Sequence, residues 1–253
     1  MTVRSPRFWA AIAVACLMSS AACCGAELRD SKAKTPTPSA GPAANNTLSA
    51  AEKQAGWKLL FDGKTLDGWT IPGSKEGWVV ADGTIKCTAK GGDYLHTNEQ
   101  FADFALSIDF KYPKDANSGV FFRWTKLDDP VNTGIEMQIL DTYGWDKPSK
   151  TSCGAIYEIK EPSKKAEKPA GEWNNAVIFC NGSRIRVRLN GVQIINMDLN
   201  RWTKPHKNPD GTENKFPIAY KTMTAKGYIG LQDHGSPLWF RNIKIRPLDK
   251  PNP

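Results

Sequence analysis

From Trp57 to about Pro247, large apolar residues tend to recur at every second position in short runs, with turn residues between the runs. Trp78-Val79-Val80 runs into Asp82-Gly83, and Phe104 to Phe110, Gly119 to Arg123, Ile135 to Leu140 and Ala176 to Phe179 follow. Asn181-Gly182 and Asn190-Gly191 signal hairpins, because Asn-Gly accepts the positive φ of a type I′ turn. Between them Ile185, Val187 and Leu189 alternate with Arg184, Arg186 and Arg188. This strand therefore buries one face and shows arginines on the other. Gly227 to Leu231 and Leu238 to Ile245 complete the series. No long stretch has helical periodicity and no internal repeat is present. The pattern predicts an all-β protein, a two-sheet antiparallel β-sandwich or barrel.

The chain ahead of this domain, which is placed at residues 56–249, has a different character. Residues 1–26 read as an export signal. Arg4 and Arg7 precede an apolar run from Phe8 to Met18, too short to span a bilayer as a helix, and small residues lead to Cys23 and Cys24. A cysteine at the cut suggests a bacterial lipoprotein, although Ser20 or Ala21 stands where such signals carry a large aliphatic residue. The expectation is export to the periplasm or cell surface, with a lipid anchor to the membrane. Residues 27–55, rich in Ala, Pro and Ser, read as a flexible tether.

Composition narrows the class. The chain has 253 residues, 40% of them hydrophobic and 24% charged, which excludes a disordered chain or a fibre. The net charge of +8 is spread along the sequence, not gathered in a block, so no nucleic-acid partner is expected. Cys87, Cys153 and Cys180 match no metal-binding spacing. Either one pair bridges in an oxidising compartment, or all three serve as small buried hydrophobes.

Several phrases carry a resemblance. Leu60-Phe61-Asp62-Gly63-Lys64-Thr65-Leu66-Asp67-Gly68-Trp69 comes first, then Asn117-Ser118-Gly119-Val120-Phe121-Phe122-Arg123, then Gly134-Ile135-Glu136-Met137-Gln138-Ile139-Leu140-Asp141. Gly154-Ala155-Ile156-Tyr157, Gly171-Glu172-Trp173-Asn174 and Leu189-Asn190-Gly191 follow. Gly227-Tyr228-Ile229-Gly230-Leu231-Gln232-Asp233-His234-Gly235 and Phe240-Arg241-Asn242-Ile243 close the set. In this order, and over nearly all of residues 57–247, the chain resembles the 3-keto-disaccharide hydrolase family. The resemblance implies a concanavalin A-like jelly roll whose concave sheet faces a carbohydrate. It also implies cleavage of 3-keto-glycosides, sugars first oxidised at C3 by a separate dehydrogenase.

The residues suggest where such chemistry would sit. In Ile135 to Ile139 the apolar side chains point one way, and Glu136 and Gln138 stand side by side on the other face, about 7 Å apart. Asp141 has the opposite parity and joins them only if the strand bulges. Arg123 shares a face with Gly119 and Phe121 by parity. It would supply a fixed cation for a sugar carbonyl or enolate, with Gly119 leaving room for a ligand, or else it forms a structural salt bridge to Glu136 or Asp141. His234 stands in Gln232-Asp233-His234-Gly235, and histidine as a residue type is suited to proton exchange. It stands above His96 and His206 because it lies in a matching phrase.

Glu136, His234 and Arg123 are thus the catalytic candidates, with Arg123 and Gln138 holding the enolate oxygen. Gln138, Asp141, Asn117, Tyr157, Gln232, Asp233 and Trp124 are the substrate-binding candidates, with Tyr143 and Trp145 as further sugar-stacking aromatics. No cofactor is demanded. A divalent metal stays open, since carboxylate and amide oxygens suit hard cations although no spacing requires one. Two rival readings remain. One is a conventional two-carboxylate glycosidase, disfavoured by Gln138 where an orienting acid would stand. The other is a carbohydrate-binding module without chemistry.

Overall fold

A computed structural model of the chain describes residues 44–248. The signal-like residues 1–26 and most of the expected tether lie outside them.

Among the described residues thirteen strands, numbered in chain order, form two antiparallel sheets. The larger sheet runs β11 (Val192–Asp198), β10 (Arg184–Leu189), β9 (Asn174–Asn181), β6 (Phe104–Lys111), β13 (Leu238–Pro247), β4 (Thr84–Cys87), β3 (Trp78–Ala81). The short β1 (Lys58–Leu59) also pairs with β13. The smaller sheet runs β2 (Trp69–Thr70), β5 (Tyr94–Phe101), β12 (Gly227–Gln232), β7 (Asn117–Trp124), β8 (Ile135–Leu140). This is the expected two-sheet jelly roll. Its core lies between the sheets. Leu106, Ile108, Ile178, Val187 and Phe240 come from one side, and Val120, Phe122, Met137, Ile139 and Leu231 from the other. Removing this apolar surface from water is the main term holding the sandwich together.

Period-two patterning works best where one face is wet. In β10 the apolar residues are buried and the three arginines exposed. By contrast β7 and β8 are buried along almost their whole length. The chain joining β11 to β12 brings Lys215 and the buried Tyr220 near Glu136 of β8. The polar stripe of β8 therefore lines a recess and is itself buried.

The folded unit begins earlier than residue 56. Ser49 and Glu52 form a reciprocal capping box on α1 (Ala50–Gln54). Ahead of it Asn46 is clasped by Asn242. The Asn46 amide N–H donates to Asn242 Oδ1 at 2.6 Å, and the Asn242 N–H donates to Asn46 Oδ1 at 2.8 Å. The expected tether thus ends before these residues. Cys87, Cys153 and Cys180 are all free and buried, which selects the reading as small hydrophobes.

Candidate active site

The outer face of the smaller sheet holds a cavity of about 130 Å³, lined by Tyr94, Asn117, Val131, Glu136, Gln138, Tyr157, Lys215, Gln232 and His234. Four strands contribute. β8 supplies Glu136 and Gln138, whose parity turns them away from the core. β7 supplies Asn117, β5 Tyr94 and β12 Gln232.

Glu136 is the only carboxyl among the lining residues, and it is 9% exposed. Among the described residues, no hydrogen bond to its carboxylate is formed. Burial pushes its pKa from the ordinary 4.5 up to about 8. The Lys215 cation pulls it back down and the Glu158 charge raises it further. A carboxyl with a pKa near 8 is mostly protonated at pH 7 yet can release that proton at little cost. Gly119 makes its position feasible: a Cβ there would lie 2.8 Å from Glu136 Cγ. The space expected beside Gly119 for a ligand is taken by Glu136 itself.

The polar groups around it form a chain. Gln138 Nε2 donates to Asn117 Oδ1 at 3.0 Å, and Asn117 Nδ2 lies 3.4 Å from His234 Nδ1. When that amide donates, a neutral His234 carries its proton on Nε2. Gln232 Nε2 donates to the Tyr94 hydroxyl at 2.9 Å, while the buried Gln232 Oε1 has no partner. A buried acceptor without a donor is costly unless a ligand or water supplies one.

Lys215 supplies the cation. Its backbone N–H donates to Glu158 Oε2 at 3.1 Å, and its Nζ sits 4.4 Å from the centroid of the Tyr157 ring and 4.0 Å from Glu158 Oε1. Neither Lys215 nor Tyr94 nor Val131 stands out in the sequence. Lys215 lies in the connection between β11 and β12, in a phrase without motif or periodicity, and only the fold brings it beside Glu136.

Six candidates are placed elsewhere. Arg123 does not share a face with Gly119. Residues Phe122 and Arg123 together oppose Ile229, a β-bulge with Arg123 at φ +52°, and the bulge reverses the parity beyond it. The Arg123 side chain is buried and donates to Asp103 Oδ1 at 3.2 Å, in the connection from β5 of the smaller sheet to β6 of the larger, and to Gly182 O at 2.7 Å, in the β9–β10 turn. It is a structural ion pair, with Asp103 and not with Glu136 or Asp141. The same bulge turns Trp124 to the outer face of the smaller sheet. There it is fully buried edge-on to Tyr94 and His96, with no ring face free for a sugar. Asp141 accepts from the Asp115 N–H at 3.0 Å, and Asp233 from Gly92 and Gly235 N–H groups at 2.9 Å. Both acids hold loops. Tyr143 and Trp145 are exposed and do not line the cavity. Among the described residues no three His, Cys, Asp or Glu side chains converge as a metal-binding group.

Comparison with known proteins agrees with this architecture. Residues 56–246 match the model of the 3-keto-alpha-glucoside-1,2-lyase-like domain. The chain is 27% identical over 248 residues to a 3-keto-disaccharide hydrolase of Bacteroides thetaiotaomicron, covering 81% of this chain and 86% of that one. A Parabacteroides distasonis protein of known structure, named a candidate glycosyl hydrolase, is 38% identical. It superposes with a TM-score of 0.69, covering 76% of this chain and 99% of its own. A second such protein from the same organism is 27% identical, with a TM-score of 0.68, over 81% and 100% of the two chains.

Proposed function

The chain belongs to the 3-keto-alpha-glucoside-1,2-lyase-like family, and on that premise we propose that it cleaves 3-keto-glycosides by elimination followed by hydration, with Glu136 and His234 as the proton-transfer pair. The observation that carries the reading is the Glu136 carboxyl, held near pKa 8 in a small polar cavity beside one cation and one imidazole.

A ketone at C3 acidifies the C2 proton. Removing it with one of the pair leaves an enolate, whose negative charge on the C3 oxygen the Lys215 ammonium and the Gln138 amide are suited to hold. The electron pair then forms the C1–C2 double bond, and the C1–O bond to the leaving group breaks. The other member of the pair protonates the departing oxygen. Water adds at C1, C2 regains a proton, and the net change is hydrolysis. Lys215 takes the place that parity assigned to Arg123. The substrate must be supplied by an oxidation of the C3 alcohol, the work of a dehydrogenase. Because residues 1–26 have the composition of an export signal, we place this reaction outside the cytoplasm.

The single carboxyl of the cavity argues against a conventional glycosidase, which requires two flanking the scissile bond. The test is paired. An aryl 3-keto-glucoside and the same glucoside unoxidised are each incubated with the protein, with and without chelator, and release of the aryl alcohol is followed. Release from the keto compound alone, lost in Glu136→Gln, is expected. Equal release from the plain glucoside would overturn the elimination chemistry.

A further inference from the structure

The opposite side of the sandwich carries a second concave feature. A trough of about 260 Å³ on the outer face of the larger sheet is lined by Trp57, Ala105, Val177, Phe179, Arg186, Arg188, Gln193 and Arg246. The strand register explains it. Arg246 pairs with Ala105, Ala105 with Phe179, and Phe179 with Arg186, so one row across four strands has cations at its ends and a small residue inside. In the next row Arg188 stands between Val177 and Gln193. The two cationic walls are three strand spacings apart, roughly 14 Å at Cα.

The acids of this face are already taken. Asp198 pairs with Arg184 at 3.5 Å, Asp109 with Arg241 at 3.6 Å, and Glu52 with Lys244 at 2.8 Å. Among the described residues, Arg186, Arg188 and Arg246 have no carboxylate partner, and Arg246 Nε is buried without a hydrogen bond. The Arg186 guanidinium lies 4.4 Å from the Phe179 ring centroid and that of Arg246 5.7 Å from Trp57. Aromatic contact orients the guanidinium planes, and Arg186 and Arg188 are exposed.

We propose that this trough binds an acidic polysaccharide, one bearing ring carboxylates. The forks suit carboxylate bidentately, and the Ala105–Val177 floor and the Trp57 ring suit the C–H face of a sugar. A bilayer is disfavoured. The exposed large apolar side chains among the described residues, Leu127, Tyr143 and Trp145, are not in the trough, which so lacks an inserting anchor. The inference is separate from the cavity chemistry, since the two features occupy opposite faces of the sandwich.

Binding of the full chain to polygalacturonate, neutral dextran and duplex DNA tests it, alongside two charge-matched double variants. The expected result is binding to polygalacturonate and not to dextran. It should be weakened about tenfold or more in Arg186→Gln/Arg188→Gln and barely altered in Lys204→Gln/Lys207→Gln, whose lysines line a different depression. Turnover of the aryl 3-keto-glucoside should be equal in all three proteins. No binding by the wild type, an equal loss in both variants, or DNA bound as tightly as polygalacturonate would overturn the proposal.

Discussion

Replacing Glu136 with Gln keeps the shape of the side chain and removes its ionisation. In the native fold burial raises the carboxyl pKa from 4.5 to about 8, so between these values the folded chain holds a proton that the unfolded chain has lost. Folding stability therefore falls as pH rises through this window, by about 1.4 kcal/mol per pH unit. From pH 4.5 to pH 7 that amounts to about 3 kcal/mol, approaching about 5 kcal/mol above pH 8. The Gln variant has no such slope. Any constant penalty from its buried amide drops out when the two proteins are compared across pH. Urea unfolding of both at pH 4.5, 7 and 8.5 is the assay. The stability of Glu136→Gln relative to wild type should climb by about 3 kcal/mol between the first two values, while activity falls about 100-fold or more. A difference that stays flat with pH would show an ordinary carboxyl. It would remove the ground for assigning proton transfer to this residue.

Three further outcomes follow from the same geometry. Gly119→Ala should push Glu136 out of place, lowering turnover sharply while costing about 1–3 kcal/mol in urea unfolding, the range for overpacking. Lys215→Met should depress kcat on the keto substrate. It should also move the ionisation near pH 8 in the pH–rate profile upward, because the lysine now holds the Glu136 pKa down; an unchanged profile would separate the two groups. Arg123→Met strips a buried ion pair. It should lower stability by about 3 kcal/mol with kcat of the folded fraction unchanged; a specific loss of kcat would return Arg123 to the site.

The sandwich was legible because most strands have one core face. Ile135–Leu140 and Arg184–Leu189 coincide with the sequence runs residue for residue. Tyr94–Phe101 was not visible, since its burial falls in a block and not in alternation. Parity placed Glu136 and Gln138 correctly on one face. It failed for Arg123 because a bulge is one inserted residue, and nothing in Phe121-Phe122-Arg123-Trp124 announces it. The acids Asp141 and Asp233 look like chemistry in a one-dimensional reading. Only the neighbouring backbone N–H groups show them to be loop ties. Lys215 depends wholly on a contact distant in sequence, the kind of information that local pattern does not contain.

The reciprocal clasp of Asn46 and Asn242 also has a mechanical meaning. Beyond it the chain runs through α1 into β1, which pairs antiparallel with the last strand. A pull applied ahead of Asn46 is therefore delivered first to β13, an interior strand of the larger sheet, and not to the sheet that carries Glu136. Force arriving from that end would have to break the clasp and shear β1 from β13 before any load reached the cavity.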